Sequence, residues 1–479
     1  MLLLIALLHA STFVSTTAIL QQSENVGHVV FVASPFFGHI IPSLDFAKRL
    51  SKFHHVTFVV PASRLRLLEQ RGFLLKDDSN ITPIRSRLEF IELLDGNDDD
   101  FQVDQSNTSI GVESLIDRMR EPLLQLLLPV SNTPSSSSSS STSPLLTQQL
   151  RHPVHLIIFD MLVYMSIQYA QQRHIPAHIF VPHDFTFLMR YINISVGNLE
   201  NTIVGQRFAK QVVDTISLAN GVIFNSIYQL NEKLLNEFRQ QPLPSANTTI
   251  RFVAPLTFET NEPEKTHIVQ HVQQWLDIQW QKANGSPTVI YLAFGSMARL
   301  VPEQIGQIAL AFTSYPLIWS LKANLHVYIP STFTDDSLHL ILDWAPQRLI
   351  LSHSAIRLFI SHGGWNSVLE SMWAGKPTLV WPMFADQFIN GYRLEHDFGT
   401  GRCIQNTKVG DHQRILLSDE LAQYLTQMFD REKEYIIRAQ EVQQIIIHSR
   451  QNTSQQYFDE IIKIIDDRVT IETDGHSEL

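Results

Sequence analysis

The stretch from His28 to Val60, HVVFVASPFFGHIIPSLDFAKRLSKFHHVTFVV, decides how the chain folds. His28 to Ser34 is an unbroken β-branched and aromatic run, the composition of a parallel strand buried on both faces. Pro35-Phe36-Phe37-Gly38-His39 follows as a turn, Pro42 to Phe53 carries a helical pattern, and His55 to Val60 is a second strand. Strand, helix and strand in that order make a βαβ unit. Val154 to Phe159 and His178 to Val181, with a helical stretch between them, continue the alternation and predict a doubly wound sheet.

Working outward, the pattern breaks after Leu256, and residues 257–286 read as an interdomain linker. A second alternation then starts. Pro287 to Phe294 is a strand ending in Gly295-Ser296, and Leu317 to Leu321, Ile356 to Ser361, Thr378 to Trp381 and Gly401 to Ile404 are further strands. Helical stretches fall at Pro302 to Phe312, Trp365 to Trp373 and Gln387 to His396. The expected fold is therefore α/β, with two Rossmann-like doubly wound domains, 25–256 and 287–435, facing a cleft. In such sheets ligands sit outside the carboxyl ends of the strands. An amphipathic segment at 436–467 is expected to pack back across the first domain.

Composition narrows the function. Of 479 residues 44% are hydrophobic and 17% charged, which is a core-forming chain and not a disordered one. Lys and Arg number 36 against 47 Asp and Glu, a net charge of -11 with no basic cluster, so nucleic acid is excluded as a partner. A single cysteine, Cys403, excludes an internal disulfide and a multi-cysteine zinc site. Residues 1–20, apolar and then small, read as a secretory leader, and the tail His476-Ser477-Glu478-Leu479 is one substitution from a retention signal. Together they point to the lumen of the endoplasmic reticulum, with the cytoplasm as the alternative. Acceptor triplets at Asn80, Asn107, Asn193, Asn247 and Asn452 would permit glycosylation there. The serine run Ser135 to Ser141 and the acidic run Asp98 to Asp100 read as solvated loops, and no stretch is apolar enough for a transmembrane helix.

From Trp344 to Gln387 the sequence is WAPQRLILSHSAIRLFISHGGWNSVLESMWAGKPTLVWPMFADQ. It resembles, at full length and without insertion, the nucleotide-sugar signature of the plant-type family 1 UDP-glycosyltransferases, which have the GT-B fold. The residue chemistry suits such a ligand: Trp344 offers a π-face to uracil and Gln347 an amide to its edge. His362, Trp365, Asn366 and Ser367 lie in a glycine-containing strand-to-helix switch, where amides point at an anion. Glu370, three residues beyond Ser367, shares its helical face and suits the ribose hydroxyls. By resemblance Asp386 and Gln387 bond the sugar, Ser296 is a second phosphate contact, and the final Gln favours UDP-glucose as donor substrate. Gly363 departs from the pattern, where plant enzymes usually carry Cys.

His39, beside Gly38 at a helix opening, is placed to act as a base, and Asp160 ends a strand bordering the same cleft. The resemblance makes His39 and Asp160 the catalytic pair of an inverting hexosyl transfer that requires neither metal nor cofactor. His183-Asp184 is a local competitor for this role, read in preference as part of the acceptor wall, which Phe36, Phe37, Met161, Phe185 and Phe187 line and which suggests a small lipophilic acceptor. A nonenzymatic UDP-sugar sensor is the alternative reading. A nicotinamide oxidoreductase fails because the first strand does not lead into Gly-x-Gly-x-x-Gly.

Overall fold

A computed structural model describes residues 26–475, apart from 71–72, 75–86, 94–107, 128–149, 151, 196–202, 242–247, 257–266, 334–336 and 410–411. The leader, the tail, the serine and acidic runs, and Asn80, Asn107 and Asn247 lie outside the described residues.

Two parallel sheets carry the molecule. The first contains β1 (His28–Val32), β2 (His55–Pro61), β3 (Leu88–Leu93), β4 (Leu156–Asp160), β5 (Ala177–Val181), β6 (Gly221–Phe224) and β7 (Ile250–Phe252), in the order β3-β2-β1-β4-β5-β6-β7. The second contains β8 (Val289–Ala293), β9 (Leu317–Ser320), β10 (His339–Leu342), β11 (Ile356–Ser361), β12 (Thr378–Val380) and β13 (Gly401–Cys403), in the order β10-β9-β8-β11-β12-β13. Every residue of β1, β4, β5 and β8 is buried, as strands covered by helices on both faces require. In each sheet the strand order reverses beside a central strand, between β1 and β4 and between β8 and β11. Ligand crevices open at such switch points. This is the expected α/β architecture with two doubly wound units.

Four boundaries differ from expectation. Helix α1 spans Phe37–Leu50, so it starts before Pro42 and contains it. The stretch read as linker includes helix α2 (His267–Lys282), whose Val272, Trp275 and Leu276 pack on Val289, Tyr291 and Phe359 of the second sheet. Its glutamine-rich face hides an apolar stripe at helical spacing, so composition alone suggests a linker where a helix stands. Strands β3, β6, β7 and β10 add to those the sequence predicts. The last segment is two helices, α3 (Glu432–Gln451) and α4 (Thr453–Gly475), and not one.

The return crossing of the chain is explained by α4. Its Phe458, Ile461 and Ile465 enter the same apolar cluster as Val29, Phe31 and Phe46 of the first domain. Arg49 stacks over the Phe458 ring at 3.9 Å, and a Cβ on Gly27 would meet Ile465 Cγ2 at 2.5 Å, so only glycine lets α4 approach β1. Among the described residues no helix is long and apolar enough to cross a membrane.

Candidate active site

The site is built from loops at the carboxyl ends of strands in both domains. His39 sits in the first turn of α1, which begins as soon as the chain leaves the extended residue Phe36. Asp160 is the last residue of β4 and fully buried. His39 Nδ1 lies 2.9 Å from Asp160 Oδ2, while Asp160 Oδ1 accepts the Leu162 amide at 2.9 Å. Those two bonds fix the carboxylate and hence the ring, directing Nε2 toward His183 of the same domain. There Nε2 lies 3.1 Å from His183 Nε2, with the rings edge to face. His183 follows β5, and its Nδ1 lies 2.9 Å from Asp386 Oδ2 across the cleft.

Asp386 immediately precedes the helix Gln387–His396 and is buried. Burial pushes its carboxyl up, but His183 and the bonds from His183 and Asn390 outweigh this and hold it below the usual carboxylate range.

His362 opens the strand-to-helix switch after β11, its ring lodged between two glycines. A Cβ on Gly295, at φ +72°, would meet the ring at 2.8 Å, and one on Gly364 would meet Nε2 at 2.5 Å. Burial lowers its pKa to about 4 against the opposing pull of Asp386 and the Ala293 carbonyl, so the ring is neutral at pH 7. Its Nδ1 is buried with no partner among the described residues. The following helix, Trp365–Trp373, begins at Gly364 with no side-chain cap on its first amides. Ser296 lies exposed in the turn after β8.

Gln347, Ser367 and Glu370 converge. Gln347 Nε2 donates to Ser367 Oγ at 3.0 Å and to Glu370 Oε2 at 2.6 Å, and Gln347 Oε1 accepts from the Tyr291 hydroxyl at 3.2 Å. Arg348 donates to the other oxygen of Glu370 at 3.2 Å and to Asp45 of the first domain at 3.4 Å. Trp344 is half-buried three positions before Gln347.

Several expected roles are corrected. The Trp365 side chain does not face the donor region, which leaves only its backbone amide for that role: its indole N–H donates to the Asn225 carbonyl at 2.6 Å, and the ring packs with Ile227 and Ala254 at the domain interface. Phe185 is fully buried against Phe224, Phe238 and Phe252, and Met161 belongs to the same core cluster, so neither forms an acceptor wall. Met161 lies in the turn after β4 and Phe185 starts the helix Phe185–Ser195, and nearness in sequence to a cleft residue does not reveal that both side chains turn into the core. Asp184 is buried too, ion-paired with Arg393 and bonded to Thr186 and Ser226. Gln387 uses its carbonyl oxygen to accept the amides of Met383 and Phe384 at 2.8 and 2.9 Å, which holds the loop carrying Asp386. Phe36 stays beside His39 at 5.9 Å between ring centres, Phe187 stacks on His183 at 4.1 Å, and Phe37 is partly buried against the first core.

The family description "UDP-glucoronosyl and UDP-glucosyl transferase" matches residues 175–441, more than half of the chain. The chain belongs to this family. It is a UDP-glycosyltransferase, and the expected GT-B fold holds. UDP-glycosyltransferase 71K2 of Pyrus communis is 24% identical over 467 residues, spanning 86% of this chain and 92% of that protein. Anthocyanidin 3-O-glucosyltransferase 2 of Manihot esculenta is 30% identical over 234 residues, spanning 45% of this chain and 64% of that protein. Medicago truncatula UGT71G1, solved with UDP-glucose, superposes at a TM-score of 0.67 and 21% identity over 91% of this chain and 98% of its own. Arabidopsis thaliana UGT89C1, solved with UDP-L-rhamnose, does so at 0.69 and 22% over 92% and 99%. Within this glycosyltransferase the family's signature occupies the second domain, and His39 and Asp160 face it from the first.

Proposed function

We propose that the enzyme transfers a hexose, with glucose the first choice, from a UDP-sugar to a hydroxyl of a small lipophilic acceptor with inversion at the anomeric carbon. The observation that carries this is the His39–Asp160 pair at 2.9 Å, held opposite the signature loop by a bond from Asn366 to the Gly38 carbonyl at 2.8 Å. The buried carboxylate fixes the ring so that Nε2 takes the acceptor proton. The acceptor oxygen bonds the anomeric carbon as the bond to the diphosphate oxygen breaks, and UDP leaves with the electron pair. The uncapped helix amides and the unpartnered Nδ1 of neutral His362 are suited to the departing diphosphate. Trp344, Gln347, Ser367 and Glu370 form the nucleoside cradle, and Ser296 reaches the phosphates from β8. Asp386, with the amide nitrogen of Gln387, meets the sugar.

Solved neighbours carry both UDP-glucose and UDP-L-rhamnose, so the choice of glucose rests on Gln387 and not on the fold. The transfer calls for neither metal nor cofactor, because the helix amides and His362 serve the leaving group. A sensor that binds without transferring gains nothing from a carboxylate-fixed base, and no observation favours it. The test is incubation of the purified protein with several UDP-sugars and a panel of phenols and alcohols, read by mass. Hexose addition to an acceptor supports the proposal, and intact donor with every acceptor sinks it.

A further inference from the structure

The nucleoside cradle is tied to the first domain by a side chain that the proposed reaction does not use. Arg348 follows Gln347 in the short helix Gln347–Ser352 of the second domain. Its Nε donates to Glu370 Oε1 at 3.2 Å, and its Nη2 donates to Asp45 Oδ2 at 3.4 Å. Asp45 belongs to α1, whose first turn carries His39, and is only 2% exposed. A carboxylate so far from water requires a cation, and Arg348 brings one from the other domain.

The shape of the guanidinium makes this contact more than a tether. Nε and Nη2 form the edge that can grip both oxygens of a single carboxylate, as Arg357 grips Glu432 at 2.6 and 2.9 Å. In Arg348 that edge is divided between Glu370 and Asp45. Glu370 Oε2 meanwhile accepts from Gln347 Nε2 at 2.6 Å. A carboxylate offers about four lone-pair sites, so each further donor from Arg348 takes capacity that ribose hydroxyls would use.

We propose that Asp45 and Arg348 are positioning residues, and that Asp45 sets the affinity for the nucleoside by drawing one arm of the guanidinium away from Glu370. This rests on the donor reading, in which Glu370 accepts from the ribose. Without the Asp45 charge, Nη2 turns onto Glu370 and closes the fork, competing with the ribose hydroxyls for the same oxygens. Without Arg348, Glu370 loses the donor that orients its Oε1. A helix of the acceptor-side domain, the one that carries the base, thereby adjusts how tightly the opposite domain holds the nucleotide.

The test is calorimetric titration of the full chain with UDP and with its dideoxyribose analogue, which lacks the hydroxyls that Glu370 accepts from. Asp45→Asn is expected to raise the Kd for UDP about fivefold and to leave that for the analogue unchanged. Arg348→Gln should raise the UDP Kd by at least as much, and the double variant should go no further than Arg348→Gln alone. A loss of folding stability alone would weaken both nucleotides alike. A UDP Kd that Asp45→Asn leaves unmoved or lowers, an equal rise for the two nucleotides, or additive losses in the double variant overturns the proposal and leaves the transfer reading standing. Should Asp45→Asn fail to fold, Arg348→Lys decides, because its single ammonium keeps the charge but has no edge to divide. A rise confined to UDP then supports the proposal, and wild-type affinity overturns it. Equal affinity of the wild type for the two nucleotides removes the part given to Glu370, and this proposal with it. Absence of UDP binding by the wild type overturns the donor reading and this proposal together.

Discussion

The side-chain amide of Asn366 donates to the backbone carbonyl of Gly38 at 2.8 Å, tying the helix Trp365–Trp373 of one domain to the turn that carries His39 of the other. That carbonyl is unclaimed within α1 because the residue four positions on is Pro42, which has no N–H to donate. A residue that ordinarily disrupts a helix here exports a hydrogen-bond acceptor across the cleft.

Pro42→Ala restores an amide that competes for the Gly38 carbonyl, and Asn366→Ala removes the other donor. Each is expected to weaken donor binding by about 1 kcal/mol, roughly a fivefold rise in Kd. Because both act on one bond, the double variant should cost less than the two effects added. Additive losses in a binding titration would show that the contact does not couple the domains.

His39→Ala is expected to reduce turnover by about 10²–10⁴-fold while leaving the Kd for UDP within a factor of two or so. Asp160→Asn should lose activity as well, since it removes the charge that fixes the ring and favours the imidazolium formed on proton uptake. Turnover and equilibrium binding measured side by side check both. Parallel loss of binding would place His39 in the donor site instead.

Arg393 and Asp184 form a buried ion pair between the domains, with Arg393 also donating to Asn231 Oδ1 at 2.9 Å and the Leu230 carbonyl at 2.7 Å. Arg393→Met strands the Asp184 carboxylate without its partner, and should cost about 3–5 kcal/mol in urea unfolding. Adding Asp184→Asn should recover part of that loss. No recovery would mean that the guanidinium acts through Asn231 and Leu230 alone.

Acid should destabilise the fold through histidines kept neutral by burial. The pKa of His28, His54 and His362 is lowered to about 4, and that of His178 to about 3, burial being the largest cause for each. Their folded values lie below the ordinary value of 6.5, so the unfolded chain binds more protons in between. Stability present above pH 6.5 is therefore lost as pH falls toward 4, at up to about 1.4 kcal/mol per pH unit for each such group. Urea midpoints at several pH values read the slope. His178→Leu, which removes a ring with neither nitrogen partnered, should make it shallower. An unchanged slope would assign the loss to other groups.

Much of this fold is legible in the order of residues alone. Strand runs such as His28 to Val32 are apolar on both faces, and that signal survives without tertiary knowledge because parallel strands are buried whatever packs on them. Within the stretch from Trp344 to Gln387, Gln347, Ser367 and Glu370 do meet, since helical spacing alone puts the last two on one face. His39 and Asp160, 121 positions apart, meet because adjacent parallel strands β1 and β4 end at the same edge.

Other features depend on what comes from far along the chain. Trp365 and Phe185 read as site residues from their place in the sequence, and only the facing elements show that both side chains are anchors in apolar clusters. In sequence His183 looks like a local partner of Asp184. Its actual partners, His39 and Asp386, are separated from it by 144 and 203 positions and belong to two domains, a relation no local pattern encodes. The two doubly wound units and the family signature are thus written into the linear chain, because periodicity and short-range spacing dictate the first and a contiguous motif carries the second. Which side chains cross the cleft is set only in three dimensions, because that depends on how two sheets are held face to face by Arg393, Asn366 and the returning α4.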